Sequence, residues 1–189
     1  MRRFKGYEFK QAVENLTRKI AKDFQKPITQ ITWTHSISTA GIDNKGCIVF
    51  SDVRDDAILH DIDVQRYAGF AVHEMLHWSY TDFQWTGATN YVRSMHNAVE
   101  DAWIEHNGID ANLTGNISNL LSAVLDQMVG IALADNIDWA DPAQYPFVFA
   151  VHLRKHARTF VPVAHGLQPI ITGARARLAK CTSSKDTLA

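Results

Sequence analysis

One pentapeptide constrains this chain more than any other feature. His73-Glu74-Met75-Leu76-His77 is an HExxH pattern. Residues four apart stack on one helical face, about 6 Å along the axis, so two imidazoles at this spacing can converge on one cation. Glu74 then sits beside the ion rather than under it, where a carboxylate can take a proton from a metal-bound water. The flanking residues agree with a helix. From Asp63 onward Val64, Tyr67, Ala68, Ala71, Val72, Met75 and Leu76 form one broad apolar face, and Asp61 or Asp63 can cap its start. With nine His and five Glu in 189 residues, chance would place HExxH about 0.01 times in such a chain. The competing reading is a helix whose two His are ordinary core or surface groups.

Two His are too few for a catalytic site, which usually takes three protein ligands and a water. The next helix reads Asn97-Ala98-Val99-Glu100-Asp101-Ala102-Trp103-Ile104-Glu105-His106 and carries two of the five Glu in the chain. The 22 residues between His77 and Glu100 allow a turn and an antiparallel return. Adjacent helical positions diverge by about 100°, so Glu100 and Asp101 cannot both face an ion squarely. Glu100 is the favoured ligand, with Asp101 orienting an imidazole through its other N–H. The reverse assignment makes Asp101 the ligand, with Glu105 supporting it a turn later. Glu105 otherwise belongs to a solvated face. Zn²⁺ is the default cofactor for N and O donors on a rigid helix. An oxyanion also needs a donor near the metal. His96, which shares a face with Glu100, is the first choice, and Tyr80, Tyr91, His106 and Tyr145 are others.

At this point the sequence resembles a family. HExxH with a downstream Glu is the glutamate-type zincin pattern. More narrowly, Gly69 to Asp82 followed by Asn97 to Glu105 is similar to bacterial and phage metallopeptidase-like domains related to the cobaltochelatase CobT subunit, often joined to von Willebrand A modules. The resemblance covers residues 45 to 107, and it departs from the pattern at Trp103, where those domains usually carry Arg. It implies a zincin-like fold and a zinc site. It also implies that residues 46 to 52 form the edge strand against which such enzymes lay an extended peptide.

The rest of the chain is read as α+β. Phe9, Ala12, Val13, Leu16, Ile20 and Phe24 predict a helix over residues 8–25, stopped by Pro27. Residues 28–35 and 47–50 read as strands of a small, mostly antiparallel sheet, with a turn at Asp43-Asn44-Lys45-Gly46. Residues 51–61 read as a loop. Helices are expected over residues 91–106, from Ile117 onward, over 147–160 and near 168–180, with a frayed tail. The expected organisation is one domain: an N-terminal helix and sheet (1–62), metal-site helices (63–107) and a helical lobe (108–189). His152 and His156 make a second pair four apart in HLRKH, read as structural beside a basic face of Arg154, Lys155 and Arg158. Trp78 and Trp85 are expected to pack the core.

At 46% hydrophobic and 21% charged, with a net charge of -1, the composition excludes disorder and gives no whole-chain case for nucleic acid or an anionic membrane. Cys47 and Cys181 read as free thiols of a reducing cytoplasm. The sequons at Asn112 and Asn116 read as chance matches. The functional expectation is a zinc-dependent peptidase acting on a peptide or protein. The rival expectation is a non-catalytic zinc scaffold that binds a protein partner such as an ATPase or a von Willebrand A-type module.

Overall fold

The computed structural model describes residues 2–84, 89–111 and 116–188. Trp85 and the first sequon, at Asn112, fall outside them. The fold is mixed α+β, and the chain divides into two compact units, Met1–Ser79 with Asn112–Val124, and Tyr80–Ala111 with Leu125–Ala189.

In the first unit β1 (Arg3–Lys5) leads directly into α1 (Gly6–Asp23), which buries Phe9, Val13, Thr17 and Ile20 along one face. β2 (Gln30–Thr34), β3 (Ala40–Ile42) and β4 (Cys47–Ser51) form a sheet in the order β2-β4-β3. This differs from a mostly antiparallel sheet. β2 runs parallel to β4, with Gln30 opposite Cys47, and only β3 is antiparallel to it. The turn at Asp43 to Gly46 explains the difference, because it joins β4 to β3 rather than to β2. Asp43 Oδ1 accepts from the backbone N–H groups of Lys45 and Cys47, and Gly46 takes the left-handed φ of 76° that closes the turn. β4 is therefore the central strand, which overturns its reading as a free edge. The expected loop at 51–61 also contains a strand, β5 (Ile58–His60), paired antiparallel with β1.

α2 (Asp61–Tyr80) carries the HExxH segment. Its start is fixed by Asp63 Oδ2, which accepts from His60 N–H at 2.9 Å. Tyr67 anchors the helix to the sheet. Its ring meets Phe9 edge-on at 5.0 Å and stacks on Trp33 at 5.8 Å, and its hydroxyl donates to Ser51 O at 2.9 Å. Aromatic pairs of this kind contribute about 0.5–1.5 kcal/mol each beyond their buried area. On another face Gly69 lets α2 meet the start of α4 (Ile117–Ala134). A Cβ there would lie 2.6 Å from Leu120 O and closer still to Val124. Gly69→Ala should therefore cost about 1–3 kcal/mol by overpacking, read as a lower urea midpoint at unchanged slope.

The second unit is built around α3 (Asn90–Asp110), α5 (Tyr145–Leu153) and α6 (Leu167–Leu178). α3 starts on Thr89, whose hydroxyl accepts from Val92 N–H, and runs through Gly108, past the expected end. α5 stops well short of residue 160. Arg154 takes an extended ψ of 125°, and arginine side chains satisfy two of its last carbonyls, Arg154 Nη1 on Ala150 O and Arg175 Nε on His152 O. His152 and His156 are thus not a helical pair. The tail is not frayed either. Asp186 Oδ2 accepts from the N–H groups of Thr182 and Ser183, and a 3₁₀ turn at Ser184–Leu188 follows, with Ser184 buried.

Candidate metal centre

The imidazoles lie in the first unit. Two helical turns beyond the Tyr67 anchor, α2 brings His73 Nε2 and His77 Nε2 to 3.1 Å, with ring centroids 4.7 Å apart and ring planes at 86°. Two Zn–N bonds of about 2.0–2.1 Å at a tetrahedral angle would hold two nitrogens about 3.3 Å apart. The pair therefore fits a shared cation. Both rings are half-buried, and Glu74 beside them is buried at 6% exposure. An acid so buried on a packed helix is costly without a compensating role or partner.

The carboxylates of α3 lie in the second unit. α3 buries Glu100, Asp101 and Glu105, exposed by 4%, 7% and 3%. This overturns the reading of Glu105 as part of a solvated face. Glu100 Oε1 accepts from Ser184 Oγ at 2.5 Å, and Ser184 Oγ in turn accepts from Asp82 N–H at 3.1 Å. Asp101 Oδ2 accepts from Asn97 Nδ2 at 3.2 Å and from Arg154 Nη2 at 3.1 Å. Glu105 Oε2 accepts from Arg154 Nε at 2.6 Å and lies 3.5 Å from His156 Nε2. Burial works against the charge of Arg154, but Glu105 and Asp101 outweigh it and hold the guanidinium above the usual arginine pKa.

The remaining residues named from the sequence are placed as follows. His96 Nε2 lies 3.0 Å from Thr187 Oγ1 on the final 3₁₀ turn. Tyr80 packs edge-on against Trp103 at 6.0 Å, and burial raises its pKa. Tyr91 is exposed, and the Tyr145 hydroxyl donates to Ala140 O. His106 Nε2 accepts from Lys155 N–H at 3.0 Å. Trp78 is half-buried and lies beside Gly46.

Two partners of the buried acids on α3 escaped the sequence reading. Arg154 was part of an expected basic face and is instead buried between acids. Ser184 lay in an expected frayed tail. For Arg154 a signal existed, because no Lys or Arg occurs from Asn97 to Ile109, so buried acids on α3 had to find their cation elsewhere.

Two imidazoles on one face of a helix are donors that divalent ions take, and His73 and His77 supply them. Comparison of the chain with family models, curated proteins and solved structures found no match.

Proposed function

We propose that the chain is a zincin-type metallopeptidase in which His73, His77 and Asp101 hold one Zn²⁺. Asp101, the sequence reading's second choice, takes the ligand role in preference to Glu100. The observation that carries the reading is the imidazole pair, with its two Nε2 atoms 3.1 Å apart on one face of α2. The bound ion would supply a water acidified to a pKa of about 7 and a Lewis acid for the scissile carbonyl. Glu74, one residue from His73, would act as the general base toward an attacking water and as the acid that returns the proton to the leaving amine. Its burial keeps it in place and excludes competing solvent. The substrate is a peptide bond in a peptide or protein. Since β4 is the central strand, the substrate chain would not pair along it, and a different surface must receive it.

Glu74→Gln tests the catalytic half of the reading. The variant should keep wild-type zinc content and lose about 10²–10⁴-fold in cleavage of a mixed peptide library. Equal cleavage by wild type and variant would remove Glu74 from the mechanism. If neither cleaves and both hold zinc, the protein is the zinc scaffold rather than the enzyme.

A further inference from the structure

We infer that Arg154 is a positioning residue of the proposed metal centre: it fixes the carboxylate plane of Asp101 and so sets how that side chain meets an ion. The inference rests on Asp101 being a ligand. Its basis lies within the second unit. Arg154 follows the last residue of α5, and its guanidinium reaches three acceptors at once: Asp101 Oδ2 at 3.1 Å, Glu105 Oε2 at 2.6 Å and Ala150 O at 2.7 Å. Asp101 and Glu105 are one helical turn apart on α3, so the planar fork of arginine spans them while α5 anchors it from behind. Asn97 Nδ2, one turn earlier, holds the same Oδ2. One oxygen fixed by two donors fixes the plane of the carboxylate, and with it the direction of Oδ1. The side chain of Arg154 is only 9% exposed, and those of Asp101 and Glu105 only 10% and 4%. Such a clamp is stiff, because exposed ion pairs yield to water and this one is largely shielded from it.

Lysine cannot reproduce this geometry. It has one ammonium where arginine has a fork, so it can face Asp101 or Glu105 but not span both with the same directions. Supporting residues of this kind typically change metal affinity by 10–100-fold. Arg154 also lines a cavity of about 560 Å³ bounded by Trp103, His106, Phe160 and Arg175. That cavity gives a small guanidinium compound a route to the position the side chain would vacate.

The test measures zinc affinity by chelator competition in the full chain, for the wild type, Arg154→Lys, Arg154→Ala, His73→Ala and Lys155→Gln. Cobalt(II) spectra report the coordination geometry. Arg154→Lys should weaken zinc binding 10–100-fold and alter the cobalt spectrum while folding like the wild type. Arg154→Ala should recover part of its affinity when methylguanidinium is added at millimolar concentration. Lys155→Gln, whose side chain pairs with Asp110 rather than with Asp101 or Glu105, should bind as the wild type does. If His73→Ala abolishes binding but Arg154→Lys keeps wild-type affinity and cobalt spectrum, the positioning role is wrong and the metal site stands. If the wild type binds no zinc, both fall. Should Arg154→Ala not fold, Arg154→Lys decides alone.

Discussion

Arg154→Met should remove about 3–5 kcal/mol of folding stability, a large part of what a domain of this size has. The substitution keeps most of the apolar stem of the side chain and removes the guanidinium, so the loss reports mainly on that group. Removing it leaves Asp101 and Glu105 buried on adjacent turns of α3 without the cation that pairs them, and it also releases Ala150 O at the end of α5. Breaking a buried pair is costly because the partner charges stay behind in a poorly solvating environment. The triple variant Arg154→Met, Asp101→Asn, Glu105→Gln should regain much of the loss, since it leaves no buried charge unmatched. Urea unfolding of the four proteins — wild type, Arg154→Met, the Asp101→Asn/Glu105→Gln double variant and the triple — closes the cycle. Additive losses would mean that Arg154 does not couple to those acids.

Acid should destabilise the protein through His106. Burial first, and then the nearby charge of Lys155, push its pKa down to about 4 from the usual 6.5. The geometry requires the same neutral form, because Nε2 accepts a hydrogen bond from Lys155 N–H and cannot do so when protonated. The unfolded chain takes up its proton near pH 6.5, whereas the folded chain resists until about pH 4. Stability is therefore full above the unfolded value and falls as pH drops between the two. The total loss is about 3 kcal/mol, of which about 2 kcal/mol is already gone near pH 5. His106→Gln keeps an acceptor for Lys155 N–H but has no proton to gain. Its unfolding free energy should change much less between about pH 8 and about pH 5. An equally steep acid loss in the variant would assign the effect to other groups.

The helices were legible in the sequence because their signals are local. The apolar period that marks α2 needs no partner to be seen, and the run from Ile117 behaves in the same way. The sheet was less legible. Both long strands were visible as apolar, β-branched runs, but the pairing of β2 with β4 depends on which strand the Asp43–Gly46 turn returns to. The three residues of β3 carry almost no signal.

The site divides along the same line. His73, Glu74 and His77 are fixed by helical spacing alone. The surroundings of Asp101 and Glu100 differ through groups 53 and 84 positions away, Arg154 on Asp101 and Ser184 on Glu100. Nothing local to α3 separates the two acids. The same distance hid the burial of Glu105, whose partner Arg154 lies 49 positions on. Extending α5 to residue 160 failed for a related reason, because the apolar run continues to Leu153 and the helix stops where Arg154 turns toward α3.

The most direct test of the metal centre is the zinc content of the purified chain beside His73→Ala, Asp101→Ala and Glu100→Ala, each measured by elemental mass spectrometry after zinc is added and excess removed. About one zinc per chain is expected in the wild type and in Glu100→Ala, and almost none in His73→Ala and Asp101→Ala. Zinc lost with Glu100→Ala and kept with Asp101→Ala would contradict the ligand set, and a wild type that holds no zinc would contradict the metal centre itself.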